Sequence, residues 1–172
     1  MHYHAEVWIE SDKNDEKQVK EAMAPYHERG KGFWEWYQVG GRWKGVHVPG
    51  YKAEDDPENQ KNPCTWCNGT GTREDTGKKC NACDGKGVGT KWPTEWQPHA
   101  KDVIPVAEIP DTLAPFTLVL PGKVFHREEY HPEEKDIDRK FQETEFAKKT
   151  VKQVLQEEKI TSGYLVTVDY HS

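Results

Sequence analysis

Four cysteines are the residues whose type and spacing most directly specify chemistry. Cys64, Cys67, Cys80 and Cys83 stand as C-x2-C-x12-C-x2-C within CTWCNGTGTREDTGKKCNACDGKG, residues 64–87. A two-residue spacing lets both thiolates of a pair turn onto one ion, and two such pairs complete a tetrahedral S4 set. Soft thiolates favour zinc or iron, and zinc is the usual structural occupant. Gly69 and Gly71 follow the first pair at the offsets that Gly85 and Gly87 take after the second. A knuckle that points backbone amides at sulfur needs left-handed backbone, which glycine reaches freely. A thioredoxin-like redox site would need one C-x-x-C at a helix start, and this Gly/Asn/Thr/Lys-rich segment is a poor helix former. A disulfide staple would suit a secreted chain, and no secretory leader is visible. The reading is one Zn2+ with four protein ligands. It has no open position for water or substrate, and is therefore structural. Such a site supplies about 10–16 kcal/mol of apparent metal-linked folding free energy, more than a small hydrophilic module gains from its own core.

A second constellation comes from the two ends. His2 and His4 share one face of an alternating segment, as do Asp169 and His171. If the two terminal strands pair with their apolar faces inward, these four residues meet as an alternative metal or acid–base site. The bland reading is four polar residues on a solvated face. The tryptophans divide similarly: Trp34, Trp36 and Trp43 are either core or interface anchors. Trp66 sits between two metal ligands in a module too small to bury it, which favours exposure. Lys78 and Lys79 lie in the loop between the knuckles, available to phosphate or an acidic partner. No G-x-S-x-G, Walker A, H-E-x-x-H or Gly-rich nucleotide fingerprint occurs.

CTWCNGTG and CNACDGKG resemble the C-x-x-C-x-G-x-G repeats of the DnaJ-type cysteine-rich domain, in which pairs of repeats make zinc centres. The likeness covers about 24 of 172 residues and implies one zinc on Cys64, Cys67, Cys80 and Cys83. No J-domain accompanies it, and His131-Pro132-Glu133 fits an ordinary helix start. Chaperone function therefore does not carry over. WYQVGGRWKG, residues 36–45, is similar to a motif of uncharacterised tailed-phage proteins, some of which carry such a cysteine insertion. This resemblance implies a phage accessory protein acting in the host cytoplasm.

The elements that must position these residues follow from periodicity. HYHAEVWIE alternates and reads as a strand, with Tyr3, Ala5, Val7 and Ile9 on one face. Residues 14–27 carry Val19, Ala22, Met23 and Tyr26 at helical spacing. Residues 33–48 read as a hairpin about Gly40-Gly41. DVIPVAEIP reads as a strand, and PFTLVLPGKVFHR as a hairpin turning at Pro121-Gly122. A long helix is expected from about Pro132 to Lys159 on Ile137, Phe141, Ala147, Val151, Val154 and Leu155, before the closing strand GYLVTVDYHS. The order β-α-ββ-[zinc]-ββ-α-β predicts an α+β fold. Its mainly antiparallel sheet carries two helices on one face, in a ferredoxin-like arrangement, with the terminal strands side by side. Residues 1–60 and 92–172 form the body and residues 61–91 an inserted zinc-finger module.

Charge narrows the partners. Of 172 residues, 31% are charged and the net charge is −6, which opposes bulk attraction to nucleic acid or anionic membrane. Residues 1–60 carry 8 Lys+Arg against 12 Asp+Glu, residues 61–91 carry 6 against 3, and residues 92–172 carry 10 against 15. The cysteine module is thus a weakly basic island on an acidic body. No segment has the ~20 apolar residues of a membrane span. The expectation is a soluble, cytoplasmic, non-enzymatic binding protein whose partner is a host protein, with inhibition of host machinery or defence as one role such a protein could serve. A nucleic-acid-binding zinc finger and a metal-dependent enzyme built on the terminal histidines are the alternatives.

Overall fold

A computed structural model describes residues 1–13, 15–30, 32–52, 55–56, 63–88, 101–131, 133–136 and 140–172. The alternating N-terminal segment is strand β1 (His2–Ile9). The helix that follows, α1 (Asp15–Met23), buries Val19 and Met23. It stops where Pro25 enters a 3-10 turn, Ala24–Tyr26. Strand β2 (Trp36–Val39) comes next. The later elements are β3 (Val103–Pro105), β4 (Thr117–Leu120), β5 (Lys123–His126), β6 (Glu128–Tyr130), β7 (Phe141–Glu143), α2 (Val151–Glu157) and β8 (Tyr164–His171).

Six strands form one mostly antiparallel sheet in the order β2-β8-β1-β4-β5, with β3 also on β8. The terminal strands do lie side by side, in continuous register from His2↔His171 to Ile9↔Tyr164. β4 and β5 form the hairpin expected at Pro121-Gly122. The pair β1/β4 is parallel, whereas neighbours in a ferredoxin-like sheet all run antiparallel. Strands β2 and β3 share one edge of β8 end to end: β2 pairs residues 168–171 and β3 pairs residues 164–166. Thr167 stands at the junction, where its N–H donates to Asp102 O (2.7 Å) and its carbonyl accepts from Gly40 N–H (2.8 Å).

The two helices cover opposite faces, not one. Ala5, Val7, Ile9, Val119, Val166, Val168 and Tyr170 pack with Val19 and Met23 of α1. Leu118, Leu120, Leu165 and Ile104 belong to the other side of the pleat and pack with Val151, Val154 and Leu155 of α2. The reason is compositional: both faces of β4 are fully buried, so each needs its own cover. At seven residues α2 is too short to persist alone. Its burial and a capping box at its start, Thr150 Oγ1 accepting from Gln153 N–H at 3.2 Å, hold it in place.

Two further expectations are corrected. No helix spans the chain from Pro132 to Lys159. Phe141–Glu143 forms β7, Glu145–Lys148 is a 3-10 turn, and the helix begins only after Thr150. The apolar stripe was imperfect because Phe141 is an exposed strand residue; Pro132 and Ile137 lie outside the described residues. Nor do residues 33–48 form a hairpin. Gly40 and Gly41 have φ of +69° and +54°, and the chain passes into a 3-10 turn, Gly41–Trp43, and successive turns instead of returning as a strand.

Candidate metal centre

The cysteine module folds on itself with an internal two-fold likeness. Cys64 N–H donates to Gly87 O and Cys80 N–H to Gly71 O, both at 2.8 Å. Gly69 N–H donates to Cys64 O (3.1 Å), and Gly85 N–H to Cys80 O (2.9 Å). The glycines are required by this crossing: a Cβ on Gly71 would lie 2.3 Å from Gly85 O, and one on Gly87 2.3 Å from Gly69 O. All four sulfurs lie within 4.8 Å of one another and all four residues are buried.

The donor set fits a tetrahedral metal ion. Cys64 and Cys80 Sγ are 4.0 Å apart, and Cys67 and Cys83 Sγ 3.7 Å apart. The edge of a tetrahedron with metal–sulfur bonds of about 2.3 Å is about 3.8 Å. Gly71 N–H donates to Cys67 Sγ at 3.2 Å and Gly87 N–H to Cys83 Sγ at 3.3 Å, the outer-shell bonds that stabilise thiolate ligands. Without an ion the sulfurs compete. Burial, with the Cys67 and Cys83 thiols, pushes Cys64 up to about 11; against its own burial, Cys67 is brought down to about 7 by the Gly71 amide and the Cys64, Cys83 and Cys80 thiols. One divalent cation removes that conflict by favouring all four thiolates. These four residues are arranged to hold a metal ion, and the arrangement is consistent with zinc.

Around this centre the side chains differ in availability. Trp66 is 67% exposed, with the Arg73 guanidinium 5.1 Å from its ring centre. Lys78 and Lys79 are exposed, and Lys79 pairs with Asp84 within the module. Trp34 is partly buried, its Nε1–H donating to Met23 O at 2.8 Å. Trp36 and Trp43 are about two-fifths exposed; Trp36 stacks on His171 and Trp43 on His4.

The structure brings together three of the four terminal-strand residues. His2 Nδ1–H donates to Asp169 Oδ1 at 2.8 Å, and the His2 and His171 rings meet edge to face at 5.5 Å. His171 Nδ1 lies 2.9 Å from Glu35 Oε2. His4 points instead into a buried polar cluster that periodicity alone did not reveal. Its Nε2–H donates to Glu6 Oε1 at 2.8 Å. Thr167 Oγ1–H donates to the same oxygen at 3.0 Å, and His47 Nε2 approaches it to 3.1 Å, out of line for a hydrogen bond.

Glu6 is fully buried. Burial alone would raise its pKa, but His4 and His47 outweigh it and hold the carboxyl down at about 2. Asp102, also buried, is pushed up to about 6 by desolvation and by Glu6, against the Gly45 N–H bond and the Lys44 charge. Lys44 Nζ is paired with Asp56 Oδ2 at 2.7 Å, and both side chains are buried. The segment from Gly41 to Tyr51 thus covers the polar half of the sheet face whose other half lies under α2. Asp169 Oδ2 anchors its start by accepting from Arg42 N–H at 3.0 Å. Glu6, Lys44, His47, Asp56 and Asp102 were missed because an alternating strand gives no sign that a turn-rich segment covers its polar side. The one available signal was the density of glycines from Gly40 to Gly50.

Among the described residues the cysteine set is the only group of three or more His, Cys, Asp or Glu side chains converging closely enough for a metal ion. No described helix is long and apolar enough to cross a membrane. No protein-family model, curated protein or solved structure matches this chain.

Proposed function

We propose that this chain is a non-enzymatic, zinc-stabilised binding protein in which one Zn2+ on Cys64, Cys67, Cys80 and Cys83 orders a module that engages a protein partner. The observation that carries the reading is Trp66, 67% exposed between two buried ligands. A tryptophan left in water between two buried cysteines is a pre-positioned anchor. The resemblance of WYQVGGRWKG to a tailed-phage motif supports a phage origin, a host protein as partner, and host cytoplasm as the compartment.

Nucleic acid suits this surface less well. The +3 of residues 61–91, from 6 bases against 3 acids, is offset largely by the two negative charges of a zinc tetrathiolate. The His2–Asp169 pair favours one second reading, an acid–base or metal site at the strand ends. That reading requires a second metal equivalent or a turnover lost in His2→Ala.

The experiment is quantitative capture of host proteins by the intact chain, by Trp66→Ala, and by a chain with residues 61–91 replaced with a short linker. Trp66→Ala is expected to keep its metal and lose the captured partner. Retention of the same partner by both altered chains would overturn the assignment of this surface.

A further inference from the structure

The two-stranded sheet β6/β7 stands apart from the main sheet, and all six of its residues are exposed. Its register places Glu128 opposite Glu143 and Tyr130 opposite Phe141. Residues two apart on a strand share a face, so these four side chains lie on one side, and Glu129 and Gln142 on the other. The Tyr130 and Phe141 rings sit 5.2 Å apart at 46°, an open wedge, and are 55% and 57% exposed.

Two features of this face work against folding. Large aromatics are left in water, and two carboxylates stand directly opposite each other, a pairing that destabilises a sheet. The root is nonetheless firmly built. Arg127 Nε–H donates to Pro115 O (2.7 Å), Arg127 Nη1–H donates to Ala147 O (3.1 Å), and the guanidinium lies over Phe146. Thr144 N–H donates to Arg127 O at 2.9 Å. At the root of the hairpin, Arg127 is held by those bonds and Lys148 pairs with Glu145 at 2.7 Å, although Lys148 also feels Glu143. Residues 128–145 hold 8 acids and 3 bases, a net −5 of the chain's −6.

We propose that the Glu128/Glu143 and Tyr130/Phe141 face of the β6/β7 hairpin is a docking surface for an arginine-bearing segment of a partner protein. A guanidinium answers both halves of the face. Its fork bonds the paired carboxylates and relieves their repulsion, and its plane stacks on an aromatic ring. An ammonium meets the charge but not the plane, so arginine is preferred over lysine. A net −5 excludes nucleic acid and anionic membrane by repulsion. This surface is separate from the metal module and does not rest on its function.

The test uses the full-length, metal-loaded chain at 150 mM salt and fluorescein-labelled (Arg-Gly)4 and (Lys-Gly)4 peptides, read by anisotropy. The arginine peptide is expected to bind more tightly than the lysine peptide. Glu128→Gln/Glu143→Gln and Tyr130→Ala/Phe141→Ala are each expected to weaken it at least tenfold. The charge-matched control Glu10→Gln/Glu108→Gln, on exposed acids elsewhere, is expected to change it less than twofold. Glu128→Gln/Glu143→Gln is also expected to raise the urea midpoint, which separates lost binding from lost folding. Equal weakening by the control, equal affinity for both peptides, or binding unaffected by the hairpin variants would overturn the proposal. So would a dimer abolished by Tyr130→Ala/Phe141→Ala, which would make the face a contact between copies.

Discussion

Glu6 is the sharpest point at which the fold can be tested. Its carboxyl, ordinarily at 4.5, is held at about 2 although the residue is fully buried. A folded-state value below the unfolded one contributes stability above about pH 4.5 that is lost as pH falls toward 2. A shift of this size corresponds to about 3 kcal/mol. Glu6→Gln keeps an oxygen to accept from His4 and Thr167 but removes the charge. The substitution is expected to cost about 3 kcal/mol at pH 5, with the gap to the parent narrowing by about 1.4 kcal/mol for each pH unit below about 4.5. Urea unfolding of both chains at pH 5 and pH 3.5, followed by far-ultraviolet circular dichroism, measures it. A gap that is the same at the two pH values, or absent at pH 5, would refute the assignment of His4 and His47 as the groups that hold the carboxylate charged.

Asp102 has the opposite sign. Its carboxyl, ordinarily at 3.8, is raised to about 6 in the folded chain, so the parent should lose stability as pH rises from about 4 to 6. Asp102→Asn, which keeps an acceptor for Gly45 N–H, should remove that loss and gain about 2 kcal/mol at pH 7, measured by urea unfolding. Gly41 tests the segment that covers the cluster. A Cβ there would fall 2.4 Å from Asp169 Cβ at a φ of +54°, whereas Gly50, at +73°, has nothing within 4 Å. Gly50→Ala is expected to cost about 1 kcal/mol from backbone strain alone, and Gly41→Ala distinctly more; equal thermal shifts would contradict the packing described.

How much of this was legible in the sequence follows from the range of each interaction. The convergence of the four cysteines was legible, because they, their glycines and their spacing lie within 24 residues and short-range backbone bonds bring the sulfurs together. The strands β1, β4, β5 and β8 were legible because alternation is a local signal. The side chosen by each helix was not: α2 packs on Leu118, which is distant in sequence, as well as on the nearer Leu165. The false long helix arose from Phe141, whose apolar side chain fitted a helical period but faces water in β7. His4 shared a face with His2 as expected, yet Glu6 draws it inward under Trp43. That diversion depends on residues 41–51 folding over the sheet, a contact between segments that alternation within one strand does not encode.

The most direct test of the central claim is the metal content of untagged chain purified without chelator, compared by elemental analysis with Cys64→Ser/Cys83→Ser. One zinc per chain, falling toward none in the variant, is the expected result. A full metal equivalent surviving in the variant, or no zinc in the parent, would contradict the four-cysteine centre.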